Sequence, residues 1–472
     1  MESKKNFRVN LLIITTLIIS FQFMTSCVDP SGKAAFTGAE GEVEIITLQP
    51  GHFHAALVLK SMHPQVNPLV HVYASDGPEL AGHLRLIESY NNRADNPTSW
   101  QLEVYKGEDY LERSIRERKG NVMVTAGNNA RKTDYILQFI EAGINVLADK
   151  PMVISPENFD KLLRAFDLAD QQGVLLYDIM TERSEINTNL QRRLSQNVDV
   201  FGNLIEGTPE EPAITKESVH HFFKYVSGAP LVRPPWFFDT EQQGEGIVDV
   251  TTHLVDLIQW QLFPGQIIDY KSDIEMLAAS RWPTTMSPDE FKRVTQLPEY
   301  PDYLNKYLKN DTLHVYSNGE MIYKLKGKYA KVSVIWDYEA PEGAGDTHYS
   351  IMRGTRSDLI IKQGAEENYR AVLYVTLKDG SDPDVFEGVL VNAVTADLGS
   401  EYPGLGVTQV GENMWSVSVP DKYRIGHEAH FGEVMERFLQ YLVDGKLPEW
   451  EVPNMISKYY TNMKALEMAR EE

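Results

Sequence analysis

Ala142-Gly143-Ile144-Asn145-Val146-Leu147-Ala148-Asp149-Lys150-Pro151 is the stretch from which the rest of the chain can be read. A helical run, Thr133 to Ala142, stops at Gly143, the residue type that best tolerates the left-handed turn beyond a helix. An apolar strand, Asn145 to Ala148, follows, and Lys150 stands just past its end. Helix, tight turn, buried strand and charged tip make one unit of a doubly wound parallel sheet. Such sheets take ligands beyond the carboxyl ends of their strands. An ammonium placed there can hydrogen-bond a substrate hydroxyl and stabilise the alkoxide that develops as a hydride leaves. The plainer alternative is a surface lysine paired with Asp149.

The same alternation extends both ways. Strands are expected at Val43–Leu48, Leu69–Tyr73, Leu102–Tyr105, Val122–Thr125 and Val174–Tyr177. Between them come helices at Ala55–Leu59, Pro78–Tyr90, Tyr110–Arg118 and Pro156–Gln172. Short loops between alternating elements imply parallel βαβ units, so residues 42–178 form a Rossmann-type dinucleotide-binding domain. Its first turn, Gln49-Pro50-Gly51-His52-Phe53-His54-Ala55, keeps only the middle glycine of the G-x-G-x-x-G fingerprint. Gly51 permits close backbone approach; His52 and His54 can meet a phosphate oxygen or cap the helix. Asp76, just beyond the second strand, is the candidate for a ribose hydroxyl. No arginine follows it at once, which favours NAD, with NADP possible.

A second segment completes the expected site. In Gly244-Glu245-Gly246-Ile247-Val248-Asp249-Val250-Thr251-Thr252-His253-Leu254-Val255-Asp256, Asp249 and His253 fall one turn apart on one helix face. An imidazole suits proton transfer near neutral pH, and Asp249 can orient it or hold a substrate hydroxyl. Residues 179–472 form an α+β substrate domain. Alternating segments such as 314–316, 321–325, 331–336, 358–361 and 372–375 predict a large, open, mainly antiparallel sheet. Ser287 to Thr312 reads as an irregular excursion, and two helices close the chain.

The net charge of −22 repels phosphate backbones and argues against nucleic acid as a partner. Lys4, Lys5 and Arg8 precede the apolar run Leu11–Ile19, and Met24-Thr25-Ser26-Cys27 follows. This is the pattern of an export signal over residues 1–26, too short to span a membrane comfortably. Cys27, the chain's single cysteine, sits where a bacterial lipoprotein carries its lipid. The protein is therefore expected to be exported and lipid-anchored to the cell envelope, with residues 27–41 as a tether. One cysteine excludes an internal disulfide and a multi-thiolate metal site.

His52-x-His54 at the end of a first strand also resembles the metal-binding pair of amidohydrolases. That reading needs further ligands from His220, His221, Asp249 or His253. The other segments fit a different pattern better, and no metal is expected.

Taken together these residues resemble the Gfo/Idh/MocA oxidoreductases, the glucose-fructose oxidoreductase and inositol dehydrogenase family. The family's A-G-K-H-V-x-x-E-K-P block matches Ala142 to Pro151, with Asp149 in place of Glu. Its P-N-x-x-H segment matches Asn129, with Lys132 in place of His. Gly173 through Arg183 resembles the last Rossmann strand and the arginine after it. Trp236 to Asp256 resembles the W-…-G-G-G-x-x-x-D-x-x-x-H-x-x-D segment, with Glu245 replacing one glycine. The resemblance implies NAD(P)-dependent oxidation of a ring hydroxyl of a sugar, polyol or glycoside. Lys150, Asp249 and His253 would be catalytic. Gly51, His52, Phe53, His54, Asp76, Asn129 and Lys150 would hold the cofactor, and Arg183, Trp236, His220 and His221 the substrate. Some relatives use the same chemistry to cleave glycosides with no net redox change; a second base, His220, His221 or Tyr225, would then be needed. A carbohydrate-binding lipoprotein without catalysis is a further alternative, and a homo-oligomer is compatible with the family.

Overall fold

The computed structural model describes residues 36–226, 229–378 and 380–471; the expected export signal and Cys27 lie outside them. Among the described residues no helix is long and apolar enough to cross a membrane.

The first half is a parallel six-stranded sheet. Its strands are β1 (Ile45–Leu48), β2 (Leu69–Ala74), β3 (Gln101–Lys106), β4 (Val122–Thr125), β5 (Asn145–Asp149) and β6 (Leu176–Ile179). They run in the order β3-β2-β1-β4-β5-β6, so the winding reverses between β1 and β4. β1, β4 and β5 are buried along their whole length, because helices cover both faces. The helices are α1 (His54–Leu57), α2 (Pro78–Asn92), α3 (Tyr110–Glu117), α4 (Lys132–Glu141) and α5 (Phe159–Gln172). α5 buries Phe159, Leu162, Ala165, Phe166 and Ala169 at helical spacing and ends at Gly173, whose φ of 60° is left-handed.

The second half holds a ten-stranded sheet. At its centre β7 (Ile214–Phe223) runs parallel to Lys328–Glu339 and antiparallel to Thr347–Arg353; the other pairings are antiparallel. Helices Thr251–Leu262 and Glu451–Glu471 pack on this sheet and on each other, the second also touching α5, while His427–Asp444 packs on α1 and β6 of the Rossmann half.

Several local expectations shift. α1 is a single turn rather than a full helix. The sixth strand begins two residues later than expected, at Leu176. Segments 314–316 and 321–325 belong to one strand, Thr312–Leu325. The 287–312 excursion contains a helix, Pro288–Thr295, started by a reciprocal Ser287–Glu290 capping box. Residues 36–41, expected to tether, are docked: Phe36 packs on the core, and Gly41 N–H donates to Pro64 O at 3.0 Å.

Candidate active site

The reversal between β1 and β4 opens a crevice at their carboxyl ends. Gln49 leaves β1 with a left-handed φ of 45°, and its amide spans to Ser75 beyond β2, accepting from Ser75 N–H at 2.9 Å. The next main-chain donors are engaged: Gly51 N–H and His52 N–H both donate to Ala126 O at 3.1 Å. The loop after β4 lies so close that a Cβ on Gly127 would stand 2.7 Å from Gly51 N. A Cβ on Gly51 would meet the Trp236 ring at 3.6 Å. This turn therefore lacks the free N–H cradle of a glycine-rich phosphate loop, and Trp236 from the second half closes over it.

Behind the turn is a buried polar cluster. His54 Nδ1 lies 3.0 Å from Asp149 Oδ2. His52 packs edge-on to His54, with ring centroids 4.0 Å apart, and its Nδ1 accepts the His54 main-chain N–H at 3.4 Å. Lys132, fully buried on α4, donates to Asp149 O at 3.0 Å. Burial alone would raise the Asp149 carboxyl, but the charge and hydrogen bond of His54, with Lys132, outweigh it and hold the group well below the usual carboxylate range. Burial lowers Lys132 to about 8. Burial, then His54, pushes His52 well down. Phe431 and His427, from the start of the helix His427–Asp444, lie over the His54 ring at centroid distances of 4.7 and 5.7 Å.

One residue on, the two halves meet. Lys150 Nζ donates to Asp249 Oδ1 at 2.7 Å, and Gln243 Nε2 donates to Asp249 Oδ2 at 3.1 Å. Asp249 sits in the turn before the helix Thr251–Leu262 rather than within it. Its carboxylate serves Lys150 and Gln243, so it does not orient His253, and Lys150 pairs with Asp249 rather than with Asp149. His253, on the first turn of that helix, has a buried Nδ1 with no hydrogen-bond partner among the described residues. Burial, then the Lys150 charge, pushes its pKa well down, so the imidazole is neutral at pH 7. Asn129 locks the two halves together, its N–H and Nδ2 donating to Gln242 O and Gln243 O at 2.8 and 2.7 Å.

Other expected residues lie elsewhere or are otherwise engaged. Arg183 is buried, forked onto Asp256 at 2.6 Å and bonded to Glu451 at 2.8 Å. All its donating edges face carboxylates, so it is an internal tie rather than a substrate contact. His220 and His221 stand on β7, with Nδ1 atoms 3.3 and 3.0 Å from Asp346; His220 Nε2 also lies 3.0 Å from Ser218 Oγ. Tyr225 and Phe53 are exposed. Asp76 is exposed at the tip beyond β2, 3.1 Å from Lys106 Nζ. Sequence reasoning missed the contributions of Lys132 as a buried cation, of Gln243, of His427, and of Glu182. Glu182 Oε1 lies 3.7 Å from His427 Nε2, and burial with Glu185 raises its carboxyl to about 7.

The chain matches two family models. Residues 69–177 match the oxidoreductase family, NAD-binding Rossmann fold, of the Gfo/Idh/MocA type. Residues 190–470 match the "Putative oxidoreductase C terminal domain". A crystal structure of a "putative oxidoreductase" from Parabacteroides merdae is 56% identical, with a TM-score of 0.91, covering 93% of this chain and 99% of that one. A levoglucosan dehydrogenase in complex with NADH shares the fold at 11% identity and TM-score 0.57, covering 91% of this chain and 97% of that one. The WlbA dehydrogenase of Bordetella pertussis, in complex with NADH and UDP-GlcNAcA, does so at 12% identity and 0.53, covering 92% and 97%. No curated protein matches the chain by sequence.

Proposed function

Because this chain belongs to the Gfo/Idh/MocA family of NAD-binding oxidoreductases, we propose that it oxidises a ring hydroxyl of a sugar, polyol or glycoside. The observation that carries this reading is the Lys150–Asp249 pair, formed across the two halves at 2.7 Å with the neutral His253 beside it.

The residues fit a dinucleotide at its two ends. Asp76, exposed beyond β2, would suit the ribose hydroxyls, and Lys150 beyond β5 would serve the reacting end. Between these ends the amides of Gly51 and His52 are occupied by Ala126 O, so side chains would have to hold a diphosphate. A nicotinamide held there would supply the hydride acceptor. The chain's own groups handle the proton: a hydroxyl set against Lys150 Nζ gains a charge-assisted hydrogen bond that strengthens as oxygen becomes alkoxide-like, and His253 accepts the proton. Asp249 keeps Lys150 aimed. The redox-neutral glycosidase route is less well supported: both His220 nitrogens are engaged, His221 Nδ1 is held by Asp346, and Tyr225 is solvent-facing. We further place the protein at the cell envelope, anchored through Cys27, with NAD preferred over NADP.

Mass spectrometry of small molecules released on denaturation, with NAD⁺ titration and glycoside turnover, tests the proposal. Co-purified or bound nicotinamide and a keto-sugar product are expected. A protein that neither carries nor binds a nicotinamide would sink it.

A further inference from the structure

We propose that His52, His54 and Asp149 form a binding site for one divalent transition-metal ion, of the zinc or cobalt class, beside the Lys150–Asp249 pair. Their ligand atoms all lie within 4.8 Å of one another. His54 Nδ1 and Asp149 Oδ2 are already 3.0 Å apart. Two donors about 2.0–2.1 Å from a tetrahedral zinc stand about 3.3 Å from each other, so that pair sits near ligand spacing, and His52 offers the third donor within 4.8 Å of both.

The surroundings are those of a built site. His54 and Asp149 are 8% and 5% exposed, and the His54 ring is backed by Phe431 and His427. Neither neighbouring ammonium takes the Asp149 carboxylate: Lys132 bonds the main-chain oxygen of Asp149, and Lys150 is answered by Asp249. Lys132 thus holds the strand end that carries Asp149, as an outer support does for a ligand. A hydrogen-bonded His–Asp pair needs one imidazole; here a second is folded against the first, its Nδ1 facing the turn's own amide. Two imidazoles and one carboxylate favour zinc, cobalt, nickel or ferrous iron over magnesium or calcium. Three protein ligands leave a fourth position for an oxygen donor, water or substrate.

This inference rests on the geometry of the first turn and stands or falls without the nicotinamide. The full exported chain, stripped with a chelator, is titrated with Zn²⁺ by calorimetry and with Co²⁺ by visible absorption. One ion per chain is expected, with ligand-field bands of a four-coordinate N/O site. His52→Ala and Asp149→Asn should each weaken binding at least tenfold, while His220→Ala leaves it unchanged; circular dichroism confirms that the variants fold. Absence of stoichiometric binding, or binding indifferent to both His52→Ala and Asp149→Asn, overturns the site.

Discussion

Replacing Lys150 by Met separates the two roles of this side chain. Lys150 and Asp249 are only 10% and 9% exposed, and their charged atoms are 2.7 Å apart. Deleting one partner of a buried pair costs about 3–5 kcal/mol, mostly by stranding the other charge. Gln243 still bonds Asp249 at 3.1 Å, which places the loss near the lower end, about 3 kcal/mol. Lys150→Met should therefore lower the urea midpoint at pH 7, and Lys150→Met/Asp249→Asn should recover most of that loss, because a neutral amide no longer needs a cation. Turnover should behave differently. If Lys150 stabilises the developing alkoxide as proposed, its loss should lower turnover by about 10²–10⁴, equivalent to about 3–5 kcal/mol, in the single and the double variant alike. Two outcomes would refute the reasoning: a single variant as stable as the parent, or a double variant that regains activity along with stability.

His83→Leu should flatten the acid limb of stability. His83 is buried on α2, neither ring nitrogen has a partner among the described residues, and burial lowers its pKa to about 4. The unfolded imidazole takes up a proton below about pH 6.5 and the folded one does not, so wild-type stability is intact above that pH and falls by roughly 1.4 kcal/mol per unit towards pH 4; unfolding free energies at pH 7 and pH 4.5 should differ less in the variant, and an unchanged slope contradicts the assignment. In Gly246→Ala the new Cβ would stand 1.6 Å from Ser317 O, so a loss of at least about 3 kcal/mol or an insoluble product is expected, read by soluble yield and urea midpoint; a normal midpoint would show that the two segments can part. Arg183→Met should cost about 3–5 kcal/mol by leaving Glu451 without a cation, seen as a lower thermal midpoint, while the folded fraction keeps its KM; a raised KM with normal stability would return Arg183 to the substrate site.

What could be read in advance follows the range of the forces involved. The Rossmann units are local: each is an apolar strand, a turn residue and an amphipathic helix within some thirty residues, and Gly143 and Gly173 punctuate two of them. Lys150 and Asp249 were legible because each stands beside a glycine or an element end that fixes its place. β7 was not. Its sequence, Ile-Thr-Lys-Glu-Ser-Val-His-His-Phe-Phe, shows no clean alternation, since Lys216 is buried against Ser350 Oγ at 2.9 Å and both histidines turn to Asp346. The partnership of His54 with Asp149 spans 95 residues, and no local pattern reveals it. Arg183 misled for the same reason: its carboxylates come from residues 256 and 451, and only the fold shows that they use up its donors.

The last helix carries a consequence for biogenesis. Lys458 reaches Asp178, at the end of β6, at 2.6 Å and Asp256 in the other half at 2.9 Å, while Tyr459 also donates to Asp178 at 2.8 Å. Asp178 is almost wholly enclosed, yet the groups that answer it are made some 280 residues later. A ribosome-bound nascent chain ending before residue 450 would hold a nucleotide-binding half with an interior carboxylate and no counter-ion. Maturation of that half should thus wait for the helix that carries Lys458 and Tyr459.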